Sequence, residues 1–218
     1  MSVTRPALLV LFSLAVALGA CGGVEPAIKH RLPMGTLAQT PPSERGPVSD
    51  AYRTHYQAQL KLDHVGFLLR DIKYEIKIAN AKKAERKQRL RVAKLEGQRN
   101  EAFFLETLAK AADTVVNGLK KQEQAQEEHM RYLKAQQTYL ERELKASKAA
   151  LTWSEAAFEL AKAKLAEKRN TAPEGFSLER FVAQEQRARS KAKNTSQKSK
   201  NALASAKAKE QAWKNAAK

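Results

Sequence analysis

Few residues of this chain are placed to do chemistry. Cys21 is its only cysteine. The four histidines, His30, His55, His64 and His129, include no pair at i, i+4 spacing and no carboxylate–His grouping of the kind that holds zinc. There is no glycine-rich phosphate loop, no nucleophile elbow and no paired acid set. These observations predict no enzyme, no cofactor and no metal site; His55 reads as a polar core residue. What remains is charge. The net charge is +17, and it is concentrated in two places. Lys82, Lys83, Arg86 and Lys87 open one cluster, which continues to Arg89, Arg91 and Lys94. Arg187, Arg189, Lys191, Lys193, Lys198, Lys200, Lys207 and Lys209 form the second, near the end of the chain. Concentrated positive charge of this kind attracts polyanions.

The elements that must carry these charges are helices. Aromatic residues make up 6 % of the chain, and Ala, Lys, Gln, Glu and Leu dominate, a composition typical of long helices and coiled coils. No proline occurs between Ser49 and Ala172. Within that stretch apolar residues recur at alternating spacings of three and four. A first seam runs Val48, Ala51, His55, Ala58, Leu62, Val65, Leu69, Ile72, Ile76, Ala79, Lys83, Arg86, Leu90, Ala93. A second runs by sevens through Leu105, Ala112, Leu119, Gln126, Leu133 and Leu140, alongside Met130, Gln137, Leu144, Leu151, Phe158 and Leu165. The two differ in phase, which predicts a turn near 97–100, with Gly97 as C′ residue and Asn100 as N-cap; a stutter in one continuous helix is the alternative. Asn117-Gly118 leaves the phase undisturbed and reads as helix interior. Residues 170–177 form a loop, and Ser177 can cap a third, basic helix over 178–218. Its seam is thinner: Leu178, Phe181, Val182, Ala188, Ala192, Leu203, Ala206, Trp213. Residues 21–48 are rich in Pro and Gly and read as a disordered linker. The fold expected is therefore all-α, an elongated antiparallel helical coiled coil of about three long helices, with the loosest part of the central helix around Gln122, Gln126, His129 and Gln136.

The N-terminus carries the one specific motif. Arg5 precedes an apolar run, Ala7 to Leu18, too short for the ~20 residues of a transmembrane helix. Leu18-Gly19-Ala20-Cys21 follows it. This run resembles the lipobox of bacterial lipoproteins. The resemblance covers residues 1–21 and implies a cleaved signal peptide over 1–20, cut between Ala20 and Cys21, with lipid carried on Cys21. Two or more acyl chains give stable membrane anchoring. In many members of that family an Asp in the next position signals retention in the inner membrane; Gly22 stands there instead, which favours the outer membrane. An envelope address counts against nucleic acid as the partner and in favour of peptidoglycan or lipopolysaccharide.

These features together lead to an outer-membrane, periplasm-facing lipoprotein whose helical body is a tether or scaffold. Its seam could pair with a second copy or with a helical envelope protein. The alternative is an accessory subunit of an envelope secretion, efflux or conjugation machine.

Overall fold

The computed structural model describes residues 28–38 and 40–217; the lipobox, with Ala20 and Cys21, lies outside them. Among the described residues the fold is all-helical. Helix α1 spans Gly46–Ala102, α2 spans Glu106–Lys168 and α3 spans Leu178–Ala216. At 1.5 Å per residue they are about 85, 95 and 60 Å long. Two short 3-10 turns, Met34–Leu37 and Pro42–Glu44, precede them. No described helix is long and apolar enough to cross a membrane.

Helix α2 is the central element. It packs against both long neighbours, while α1 and α3 do not approach each other closely. Side-chain pairs fix the alignment. On α1 and α2, Gly97 lies against Ala112, Lys83 pairs with Glu127, Lys61 with Glu143, and His55 Nδ1 lies 3.2 Å from Ser154 Oγ. On α2 and α3, Trp153 pairs with Glu185, Glu143 with Ser199, and His129 stacks on Trp213. In both sets numbers fall on one helix as they rise on the other. Helix α3 thus accompanies α2 from its C-terminal end back to His129, and residues 106–125 of α2 have α1 alone beside them. The body is three helices thick at the α2–α3 loop and two at the α1–α2 turn.

All fourteen positions of the first seam are buried or half-buried. The main cluster joins Leu69, Ile72 and Ala79 of α1 to Met130, Leu133 and Leu140 of α2. The α2–α3 contact is built differently. Ala149, Ala156 and Ala163, spaced by seven, are at most 1 % exposed, as is Ala206 of α3. Such small side chains let two helix backbones come close, and their burial contributes through contact density more than through apolar area.

Three boundaries differ from expectation. The first turn lies at Phe103–Leu105, not at 97–100. Gly97 and Asn100 are inside α1, where Gly97 faces Ala112 of α2 with room for a Cβ at ordinary contact distance. The reversal closes as a Schellman motif. The Leu105 N–H donates to the Asn100 carbonyl, and the Phe104 N–H to that of Glu101, with Phe104 at φ 55°. Leu105, placed in the second seam by its spacing, is therefore in the turn and exposed. Helix α1 also begins early, at Gly46 with Pro47 in its first turn, where proline's missing N–H removes no bond. Asn117-Gly118 lies inside α2.

The third difference is the linker. Residues 28–48, expected without structure, dock on the helices at several points. Leu32 sits in a cluster with Ala163, Ala166 and Phe181, and Leu37 and Val48 pack on Leu165. Pro33, Pro41 and Pro42 stand at the starts of the two 3-10 turns. These prolines preset φ for turns rather than keep the segment open.

Candidate functional site

The basic residues singled out from sequence fall into two surfaces, and neither is a simple solvated patch. In the α1 cluster, Lys83 Nζ lies 3.0 Å from Glu127 Oε1, and the Arg86 guanidinium donates to the Gln122 carbonyl at 3.1 Å. Both join α1 to α2. The Lys83 hydrogen bond holds the Glu127 carboxyl below its ordinary range. Lys82, Lys87, Arg89, Arg91 and Lys94 are exposed, so most of this cluster faces solvent.

The second cluster is an ordered helix packed along α2. Stepping about 100° per residue, Phe181, Ala192, Ser199 and Ala206 form its buried stripe. Arg187, Lys191, Lys198 and Lys209 fall in a row on one side of that stripe. Arg189, Lys193, Lys200 and Lys207 fall in a row on the other. The outer crest is neutral, carrying Ser190, Asn194, Gln197 and Asn201. The tail's charge therefore borders the α2–α3 seam. Arg189 also lies over the Trp153 ring, 6.0 Å from its centroid. Arg187 and Lys191 line a cavity of about 320 Å³ with Ile28, Ala149, Gln184 and Ala188. That cavity lies beside the point where residue 28 enters the structure.

A third constellation was not legible beforehand. It holds the N-terminal segment through its main chain. Glu159 and Lys162 form an ion pair of 2.8 Å on α2, with side chains 6 % and 3 % exposed. Glu159 Oε2 accepts the Leu32 N–H at 2.9 Å, and Lys162 Nζ donates to the Leu32 carbonyl at 2.7 Å. The ammonium also lies 4.9 Å from the centroid of the Phe158 ring. From α3, the Gln184 side chain accepts the N–H groups of Lys29 and His30 and donates to the His30 carbonyl. Arg31 pairs with Glu155, and Arg169 pairs with Glu44 through two nitrogens at 3.1 Å. Buried charges are stable only when paired and hydrogen-bonded, and here the partners are the main-chain N–H and carbonyl of one residue, Leu32. The available signal was a Glu and a Lys, three apart, within the apolar run Phe158–Ala166.

Glu143 brackets all three helices. It takes Lys61 Nζ of α1 at 2.7 Å and the Ser199 hydroxyl of α3 at 2.5 Å. Burial pushes its carboxyl up, but the hydrogen bonds from Lys61 and Ser199 outweigh this and leave it below the ordinary range. His129 lies 4.2 Å from Trp213 between ring centroids. Loss of solvent lowers its pKa, and Glu75 opposes the shift. Among the described residues, no three His, Cys, Asp or Glu side chains gather as metal ligands. His55, half-buried on the seam, faces Ser154.

The structure thus brings together four of the predicted basic residues in each α3 row and splits the α1 cluster between packing and solvent. No family model, curated protein or solved structure matches the chain.

Proposed function

We propose that this chain is a lipid-anchored lipoprotein of the bacterial outer membrane, facing the periplasm. Its antiparallel coiled-coil body acts as a tether or scaffold without catalytic activity. The observation that carries the reading is the lipobox-like run Leu18-Gly19-Ala20-Cys21 joined to an elongated body. Support comes from the strap at residues 28–48, which clips the segment following the anchor onto the α2–α3 end. A pull on the anchor would then be delivered to the body at that end. The basic rows of α3 flank a long seam and suit a linear anionic envelope polymer such as peptidoglycan or lipopolysaccharide.

The test has two arms. Labelled palmitate should be incorporated into the protein and lost in Cys21→Ser; failure to label removes the anchor. Salt-dependent binding to isolated cell-wall material should drop when Lys193, Lys198, Lys200, Lys207 and Lys209 are changed to Gln. Unchanged binding removes the polyanion role. The second reading, a subunit of an envelope machine, is favoured by one observation. The α1–α2 groove lined by Val92, Ala93, Val115 and Leu119 lies beyond the reach of α3 and is open to a partner helix. Crosslinking in cells that captures one stoichiometric envelope protein along this groove would select it.

A further inference from the structure

Helix α1 carries a second apolar face. At about 100° per residue, Tyr56, Leu60, Phe67, Tyr74 and Ile78 fall within a sector of about 40°, roughly opposite the sector of Val65, Leu69, Ile72 and Ile76. The inner face packs on α2. The outer five are 51–63 % exposed. Helix α3 does not pack on α1; its end approaches the outer face at Ile78, which shares a cavity with Trp213. A surface helix that packs on one side is ordinarily polar on the other, and exposed apolar residues are ordinarily scattered singly. Here they stand in one line. Asp63 and Arg70, both exposed, fill its two gaps of seven, so the run Tyr56, Leu60, Asp63, Phe67, Arg70, Tyr74, Ile78 keeps the three-and-four spacing of a coiled-coil seam. The line is also a mirror about Phe67. Leu60 and Tyr74 lie seven residues to either side, and Tyr56 and Ile78 eleven. Between them an acid, Asp63, reflects a base, Arg70.

We propose that this face pairs α1 with α1 of a second copy, antiparallel, about a two-fold axis at Phe67. Mirror symmetry is what a self-pairing face needs and what a face for an unrelated helix does not. In this arrangement each Asp63 meets Arg70 of the second copy, Leu60 meets Tyr74, and Tyr56 meets Ile78. A parallel pair in register would set Asp63 against Asp63 and Arg70 against Arg70. Exposed ion pairs add little affinity, so these two fix direction and register, and the apolar residues supply the association. On one flank His64 meets Asp71 of the second copy. The like charges Arg53 and Lys82 meet only at the two ends of the overlap, where they are exposed and water and salt screen them. The overlap is about 45 Å long. With more than half of each aromatic ring still in water, Tyr56, Phe67 and Tyr74 of both copies would bury about 700 Å². Leu60 and Ile78 bring the total to about 1,000 Å², the size at which an interface becomes specific. The pairing does not depend on Cys21, and it places the two N-terminal straps at opposite ends of the paired stretch.

Residues 22–218 contain every described residue and no cysteine, so single thiols can be introduced cleanly. This chain should sediment as a dimer at micromolar concentration. Phe67→Glu sets two carboxylates together at the axis and should raise the dissociation constant roughly 100-fold. Helicity should stay unchanged, since Phe67 is exposed in the single chain. Asp63→Arg should weaken the dimer about tenfold by opposing two cations, and adding Arg70→Asp should restore it. Mixed in equal amounts, Leu60→Cys and Tyr74→Cys should form disulfides between the two variants. Neither should crosslink alone, because identical positions lie about 20 Å apart along the pair. A chain that stays monomeric at high micromolar concentration overturns the proposal and leaves the face to a different protein. So does a dimer that survives Phe67→Glu, or a charge reversal that the second substitution does not rescue. Crosslinking within Leu60→Cys alone would make the pair parallel and overturn it equally. Because this chain lacks residues 1–21, its result is independent of whether Cys21 is acylated.

Discussion

Lys162→Met should release the N-terminal strap before it unfolds the protein. Methionine preserves the length and apolar stem of the lysine but leaves the Glu159 carboxylate, 6 % exposed, without its cation. Removing one partner of a buried pair costs about 3–5 kcal/mol when the remaining charge cannot reach water. Here it can. Glu159 is shielded by Leu32 and the residues around it, and lifting that segment hydrates the carboxylate. The penalty is therefore capped by what holds the strap. Burial of the Leu32 side chain contributes about 1.5–3 kcal/mol. The main-chain bonds to Glu159, Lys162 and Gln184 add about 1 kcal/mol each, and ordering the segment opposes both by about 1–2 kcal/mol per residue. The net hold is small, so the variant should open the strap about 100-fold more often, equivalent to about 3 kcal/mol. The urea midpoint of the helical body should barely move. Two readouts see the strap directly: exchange of the Leu32 amide, whose N–H is bound by Glu159, and tryptic cleavage after Lys29 and Arg31. Glu159→Leu with Lys162→Met should restore any lost global stability yet leave the strap loose, because Leu32 still lacks its donor and acceptor. If the Leu32 amide and the cleavage rate change by less than twofold in Lys162→Met, the clamp is not what holds the segment. If the body loses 3 kcal/mol with the strap still protected, the escape route is wrong.

Three further outcomes follow from named contacts. Phe104→Gly should stabilise the fold by about 1 kcal/mol in urea unfolding, since glycine removes the strain of a bulky residue at positive φ. Glu143→Gln should destabilise by about 1–3 kcal/mol at pH 7 through loss of charged hydrogen bonds to Lys61 and Ser199. Because the Glu143 carboxyl is held below its ordinary value of 4.5, its contribution is complete above that pH and is lost as pH falls through the lower folded value. The gap between wild type and variant should close only under acid conditions. His129 is also depressed, from 6.5, by loss of solvent. Its neutral form favours the fold above pH 6.5, and this support is lost as pH drops through the folded value. Trp213 fluorescence, read in a Trp153→Phe background, should report loosening of the α3 end under mild acid, and His129→Phe should remove that dependence.

The α1 seam was legible because Val65, Leu69, Ile72 and Ile76 stand out against charged neighbours at helical spacing. The α2–α3 seam was only half legible. Ala192 and Ala206 were on the expected face, but Ala149, Ala156 and Ala163 were not, because alanine recurs on every face of these helices and gives no contrast. The turn was placed several residues early because Gly97 and Asn100 carry the usual punctuation. The chain instead reverses at Phe104, a residue type that gives no turn signal. Proline misled over residues 28–48: it was read as a mark of disorder where it starts 3-10 turns that seat Leu32 and Leu37. The stretch from Gln122 to Gln136, expected to be the loosest of α2, is better covered than its polarity suggested. Gln126 donates to the Ala79 carbonyl, and Trp213 closes over His129. Charge position was readable, but charge orientation was not, since the two α3 rows acquire meaning only relative to the stripe they border.

The change from three helices to two along the body makes it a tapered beam. Resistance to bending rises steeply with cross-section, so a sideways load deflects the two-helix part beyond His129 long before the strapped end yields. The α1–α2 turn can thus sweep a cone about a stiff base. A load applied there reaches the base as gentle torque rather than as a pull on any single helix contact.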